Sequence, residues 1–304
     1  MDEAAQRAFL RARFGDAARV AMMRPGEWST VYSIGIPDRE LVARFSAYDE
    51  DFEKDAYAAR WSSATLPIPP ILEWGPAPAG FYAVAPRMPG EHIDRIDATR
   101  LRGVLPSLFA SLDAMRAVDL STAFGSGGWR ADGRTQHRTW REHLLGVATG
   151  PATRGSRSWR DLLAASPAWM ATYEEGYAGI RELVDVCPED RHVIHDDLIN
   201  FNVLVQGDRI SAVLDWGSSK IGDFVFDLAK LVFYEAWYPQ WRSIDFAAEA
   251  QLHYAAIGLA VPHFAERLRC YCLYEGISGM AYSAFRERWI EVERKAARVR
   301  ELVG

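Results

Sequence analysis

Three polar residues stand at fixed spacing in the stretch HVIHDDLINFNVLVQGDRISAVLDWGSSKIGDFVFDLAK, residues 192–230: Asp197, Asn202 five positions on, and Asp215 at the end of an apolar run. The runs NVLV and ISAVLDW flank a Gly207-Asp208 turn, the pattern of a hairpin, which would set Asn202 and Asp215 side by side at its mouth. An amide oxygen and a carboxylate, completed by water and polyphosphate oxygens, suit Mg2+. A free carboxylate at Asp197 suits the acceptance of a proton from a substrate hydroxyl. Base, amide ligand and acidic ligand in this order are the parts of phosphoryl transfer, where positioning and charge neutralisation do most of the catalysis. H-x-D-x-x-x-x-N recurs by chance when it stands alone. Joined to a D-W pair 13 residues after the asparagine and to G-D-x-x-x-D-L-A, it becomes specific. His195 reads as a structural hydrogen-bonder, Asp223 as a loop anchor and Asp227 as a helix-start residue. No G-x-S-x-G occurs, so a serine nucleophile on a strand-to-helix elbow is excluded.

The elements that must carry these residues fall into two groups. Residues 1–20 read as a helix with Phe9, Leu10, Phe14 and Val20 roughly on one face. WSTVYSIGI and LVARF predict two strands around a Pro37-Asp38 turn, and residues 49–63 a helix with an acidic start. Prolines 67, 69 and 70 forbid a helix in LPIPPILEW and fit an extended edge. FYAVAPRM predicts a further strand ended by Pro89-Gly90. Beyond it the chain turns helical: residues 94–118 carry an apolar stripe, with Pro106 expected to kink or start a helix. Residues 121–138, rich in Gly, Ser and Arg, read as a long loop. Helical patterns return at 139–148, at 158–186 and from 224 onward. The fold class is α+β: a small strand-rich lobe, residues 1–88, and a larger, mostly helical lobe, residues 89–304.

Composition narrows the partners. The 304 residues are 49% hydrophobic and 25% charged, ordinary for a globular chain. A net charge of −6 argues against a nucleic-acid binder, which needs a basic face, and suits a cationic small substrate. No apolar run approaches a membrane span, and the N-terminus lacks a signal-peptide core. Cys187, Cys270 and Cys272 form neither a disulfide framework nor a zinc site. The expectation is a cytoplasmic monomer in reducing surroundings. Only four lysines (Lys54, Lys220, Lys230 and Lys295) stand against thirty-one arginines.

The stretch HDDLINFNVL…AVLDWGSSKIGDFVFDLA resembles the aminoglycoside phosphotransferase family, with its signature HGDL-x-x-x-N…DW…GD-x-x-x-DLA. RPGEWSTVYSI stands where that family has a hairpin over the nucleotide, LPIPPILEWG is similar to its LPVP-x-V-L-x-x-G, and FYAVAPRMPGEHI to its hinge. The likeness covers about residues 10–290. Through LPIP, through DLS at 119–121 with TWR at 139–141, and through VCPEDRHVIH, it is greatest toward the branch acting on hygromycin B. The resemblance implies a two-lobed, protein-kinase-like fold and transfer of the γ-phosphoryl of ATP or GTP, with Mg2+, to an antibiotic hydroxyl. It implies Asp197 as base and Asn202 and Asp215 as Mg2+ ligands. Arg44 would be the phosphate-binding cation, preferred over Lys54, with Asp55 as its partner acid. Ser29 and Thr30, with Gly26 before them, would lie over the phosphates, and Ala85, Arg87 and Met88 would meet the purine. Two positions depart from the pattern. Asp196 replaces the signature glycine and is expected to be solvated. Asp55 replaces a glutamate, so its contact with Arg44 is expected to be loose or absent. The aromatic run Tyr234–Trp241 reads as core or as a platform for sugar rings, with Glu235 and Asp245 as candidate acceptor contacts. Two alternatives stay open: a metabolic kinase of the same fold acting on homoserine, choline, methylthioribose, a macrolide or a fructosamine, and a catalytically silent nucleotide-binding module.

Overall fold

Alternating burial builds the first sheet. In β2 (Ser29–Ile36) and β3 (Arg39–Ser46), Tyr32, Ile34, Leu41, Ala43 and Phe45 are buried on one face, two residues apart along each strand. The computed structural model describes residues 2–23, 28–149 and 158–304. With β1 (Arg19–Met22), β4 (Glu73–Ala77) and β5 (Gly80–Pro86), these strands form an antiparallel sheet in the order β1-β2-β3-β5-β4. β4 lies at the edge, where Pro76 costs no ladder hydrogen bond. Helix α1 (Glu3–Phe14), capped by the Asp2 side chain, buries Leu10 with the sheet's inner residues. α2 (Glu50–Ala58) leaves β3 and packs on the turn at Trp216–Ser218.

The remaining chain packs around one buried helix. β6 (Glu91–His92) leads into α3 (Ala98–Arg116). After it come β7 (Ser126–Trp129), β8 (Thr135–His137), α4 (Trp140–Gly146), α5 (Trp159–Ala164) and α6 (Pro167–Leu183). Next are β9 (His192–Ile194), β10 (Val203–Gln206), β11 (Arg209–Val213), β12 (Lys220–Gly222), α7 (Val225–Tyr234), α8 (Phe246–Ala256), α9 (Phe264–Phe285) and α10 (Trp289–Val303). α9 is buried on most sides and is packed by α5, α6, α7 and α10. Two small sheets, β11-β10-β6 and β8-β7-β12-β9, frame the segment 195–202. Gly90 makes the first possible: a Cβ there would meet the Ser211 Oγ at 2.6 Å and the Val205 carbonyl oxygen at 2.8 Å, and its φ is 136°.

Two expectations are corrected. Pro106 does not start a helix, because α3 runs through it from Ala98 to Arg116. Burial of Leu101, Val104, Leu105, Leu108 and Phe109 on both sides of the proline offsets the about 3 kcal/mol that it costs inside a helix. Residues 121–138 are not a featureless loop. They hold the β7–β8 hairpin, whose Gly125 and Gly127 both have φ of 82°, and β7 pairs Gly128 with Lys220 of β12. A glycine-rich strand carries no β-branched signal to read.

Candidate active site

β10 and β11 form the expected hairpin, with Val203 opposite Val213 and the Leu214 N–H donating to the Asn202 carbonyl at 2.7 Å. This brings Asn202 and Asp215 to one mouth. The buried Asn202 amide donates to the Asp197 Oδ2 at 2.8 Å and to the Asp197 carbonyl at 2.9 Å. Asn200 donates to the other carboxylate oxygen at 2.8 Å. Burial pushes the Asp197 carboxyl up to about 6, against the pull of the Lys230 ammonium and the Asn200 hydrogen bond. His195 is the structural hydrogen-bonder of the sequence reading. Its Nε2 lies 2.9 Å from the Leu214 carbonyl oxygen, and its Nδ1 accepts the Asp197 N–H at 3.2 Å. Burial pulls its ring down to about 4.

A second cluster joins the large sheet to this mouth. Arg44 on β3 pairs with Asp55 on α2, and its other terminal nitrogen is 3.8 Å from the half-exposed Asp215. The expected loose or absent contact is thus corrected: α2 sits close enough for the shorter acid. The second Asp55 oxygen accepts the Trp216 N–H at 2.7 Å, so one carboxylate ties the cation to the backbone beside Asp215. Burial pushes Asp55 up to about 6, while Arg44 pulls it down. Lys54, set aside in the sequence reading, donates to the carbonyls of Gly217 and Ser219 at 2.8 and 2.9 Å and pins the same turn.

Ser29 and Thr30 open β2 opposite Ser46 and Phe45. Gly26 lies outside the described residues. Ala85 pairs with Val42 on β5, while the Arg87 N–H and guanidinium both go to Glu40 and Met88 follows at the sheet's end. The two acceptor candidates have other partners. Asp245 caps α8 by accepting the Ala248 N–H at 2.9 Å, and Glu235 pairs with Arg298 at 3.3 Å. In the aromatic run Trp241 is core, whereas Tyr238 donates to Asp94 at 2.9 Å.

Other residues escaped the sequence reading. Asp94, buried after β6, accepts the N–H groups of Asn200 and Phe201 at 2.8 and 2.9 Å. Asp227 lies in the first turn of α7, a helix-start residue as read, and has a second role. Its carboxylate accepts the N–H groups of His195 and Asp196 at 2.9 and 2.7 Å. Asp196 is buried rather than solvated, and it pairs with Lys220. Asp223 is a loop anchor as read, gripped by both Arg267 and Tyr271 of α9. Seven non-glycine residues have positive φ among the described residues, and four of them (Asp196, Asn200, Phe201 and Asp215) fall in this site. Such a concentration marks a backbone held for function. The scarcity of lysine was the one available signal: three of the four surround the site.

A strand-rich sheet over a helical body, with a partly buried carboxylate, an amide and a second acid at their junction, defines a phosphotransferase of kinase-like fold. Residues 24–289 match the phosphotransferase enzyme family, APH, and the chain belongs to that family. Hygromycin-B 4-O-kinase of Escherichia coli is 30% identical over 231 residues, 75% of this chain and 66% of that protein. The aligned part therefore spans slightly less than two thirds of that relative. The crystal structure of aminoglycoside phosphotransferase APH(4)-Ia superposes with a TM-score of 0.86 at 26% identity, covering 99% of this chain and 98% of that one. A thermostable mutant of it, in ternary complex with AMP-PNP and hygromycin B, gives 0.85 at 26% over 97% of each chain. The GDP complex of aminoglycoside 2'-phosphotransferase-IIIa, at 12% identity and a TM-score of 0.64 over 100% of this chain and 99% of that one, shares the fold.

Proposed function

We propose that the protein transfers the γ-phosphoryl group of ATP or GTP to a hydroxyl of hygromycin B or a closely related aminocyclitol antibiotic, and so confers resistance. The observation that carries this is the Asp197 carboxylate, partly buried, held at both oxygens by amides and beside Asn202 at the mouth that Asp215 shares. The relatives named above supply the acceptor. In this reading Asp197 orients the acceptor hydroxyl and takes its proton as the new O–P bond forms and the bond to the leaving nucleoside diphosphate breaks. A carboxyl near 6 is suited to that exchange at neutral pH. Arg44 neutralises phosphate oxygens, and Asp55 holds it in place.

The donor set fits Mg2+. Asn202 spends its amide nitrogen on Asp197, which leaves its oxygen for a cation, and Asp215 is half-exposed beside it. Among the described residues no group of three or more His, Cys, Asp or Glu is gathered, and a cation shared with phosphate oxygens needs none. Mg2+ bound there would neutralise the polyphosphate. Ser29 and Thr30 would lie over the phosphates and Ala85, Arg87 and Met88 against the base, within a nucleotide lobe of residues 1–88 on a catalytic lobe of 89–304. Glu235 and Asp245 remain the candidate acceptor contacts of this reading. The protein would work as a cytoplasmic monomer. Among the described residues no helix is long and apolar enough to cross a membrane.

The test is phosphate transfer to hygromycin B with Mg2+ and ATP or GTP, read by mass spectrometry. Asp197→Ala is expected to lower turnover by roughly 10²- to 10⁴-fold while nucleotide still binds. Near-normal transfer by that variant would remove Asp197 from the chemistry. Transfer to a small metabolite but to no antibiotic would move the acceptor class.

A further inference from the structure

Asp196 occupies a left-handed turn, with φ of 62°, immediately before the proposed base. Glycine adopts this conformation without steric cost, and the family signature has glycine here. In this chain the N–H, the carbonyl and one carboxylate oxygen of Asp196 are held instead, while its Oδ1 is buried without a hydrogen bond and has only the charge of Lys230 nearby. Its N–H donates to Asp227, and its carbonyl accepts from the Lys230 ammonium at 2.5 Å. Its carboxylate pairs with Lys220 on β12 and lies 3.4 Å from Lys230 on α7. Lys230 is also 3.2 Å from Glu275 on α9. Two ammonium groups thus face two carboxylates, and all four side chains are at most 14% exposed.

We infer that the Asp196 carboxylate, Lys220 and Lys230 form a positioning clamp that does in this chain what glycine does in the signature, holding the left-handed turn that aims Asp197. Three features support it. Lysine is scarce here, yet two of four lysines meet on this one carboxylate. A compact ammonium matches a buried carboxylate and carbonyl side by side, where a planar guanidinium would need more room. The clamp also draws on β12, α7 and α9, the elements that carry the helical side of the site, so its geometry is fixed by the core. Lys220 is a positioning residue, since it acts through Asp196, whereas Lys230 holds Asp196 and also pulls on the Asp197 carboxyl through its charge.

The inference rests on Asp197 being the base, and a double-mutant cycle tests it. Lys220→Met leaves Asp196 with one cation fewer and is expected to lower kcat roughly 10- to 100-fold with KM for the nucleotide nearly unchanged. Asp196→Gly combined with Lys220→Met is expected to recover kcat to within about 3-fold of wild type, because glycine accepts the turn and the charge is gone. Wild-type kcat in the single variant, or a double variant no better than the single, would overturn the clamp. Should Lys220→Met fail to fold, the double variant still decides: folding regained supports the clamp, and failure of both overturns it. Thermal unfolding without substrate separates this from the acceptor assignment. If wild type phosphorylates no hygromycin B, the two substitutions must still show a non-additive Tm, and additive shifts would overturn the clamp.

Discussion

The two ends of the segment that carries Asp197 are held in opposite ways. At its start, Asp196 supplies the anion and the surrounding β12 and α7 supply cations. At its end, Asn200 and Phe201 supply only backbone N–H groups, and a distant carboxylate, Asp94, accepts both. The first device balances charge in a buried place, so one loss can be cancelled by another. The second satisfies backbone donors that every residue type but proline would present at 200 and 201, so Asp94 has no simple substitute. Both ends contain left-handed residues other than glycine, and each is stabilised by contacts rather than by a permissive residue type.

Breaking the far end should therefore do the most harm. Asp94→Ala strands two part-buried N–H groups and the Tyr238 hydroxyl. It is expected to cost about 3 kcal/mol of stability and to lower kcat more than Lys220→Met does. Denaturant unfolding and steady-state kinetics measure both, and a smaller kcat loss than in Lys220→Met would reverse the ranking of the two ends.

His195 stands immediately before the first end and gives the comparison a pH axis. Its ring, pulled to about 4 by burial, stays neutral in the folded state while the unfolded chain takes a proton below about 6.5. Its contribution is complete above that value and fades as pH falls toward 4, over a span of about 3 kcal/mol. Asp197 and Asp227, pushed up by burial to about 6 and about 7, act with the opposite sign: their contribution is complete below the ordinary carboxylate pKa and fades as pH rises through those values. The comparison must accordingly be made against a variant. In His195→Gln, unfolding free energy should fall less than in wild type between pH 6.5 and 4, and parallel profiles would show that the ring is not held neutral.

Tyr238→Phe removes a single hydrogen bond to Asp94 and leaves both backbone bonds, so about 1 kcal/mol is expected. A loss as large as that of Asp94→Ala would mean that the tyrosine, not the N–H pair, holds the carboxylate. Asp245→Ala is the reference outside both ends. Removing the α8 cap should cost about 1 kcal/mol or less. Its KM for the acceptor tests the proposed contact: a raised KM keeps Asp245 at the acceptor surface, and a KM equal to wild type leaves it as the helix cap alone.

Much of the site was readable in the chain because it is local. The β10–β11 hairpin follows from two short apolar runs around Gly207-Asp208, and it alone decides that Asn202 and Asp215 share a mouth. The pairing of Arg44 with Asp55 follows from a strand and the helix next to it. The fate of Asp196 was not readable, since whether a carboxylate is solvated depends on what lies above it. Asp94, and the hold that Asp227 has on the backbone at 195–196, were missed for the same reason. Each is separated by more than thirty residues from the backbone it satisfies, and nothing in their own neighbourhoods marks a carboxylate that will accept two N–H groups. The β7–β8 hairpin was hidden by glycines, which pair as strands only because β12 offers an edge.

The sequence by itself determined the order of the candidate site residues, the hairpin that gathers them and the alternation that builds the covering sheet. These depend on residue type and on spacings of two to about fifteen residues, which chain geometry converts directly into proximity. Only the tertiary structure decided how the segment at 196–201 is held, because a buried donor or charge takes whichever partner the packed core brings within about 3 Å. That choice belongs to the way β6, β12, α7 and α9 meet, and no single stretch of the chain contains it.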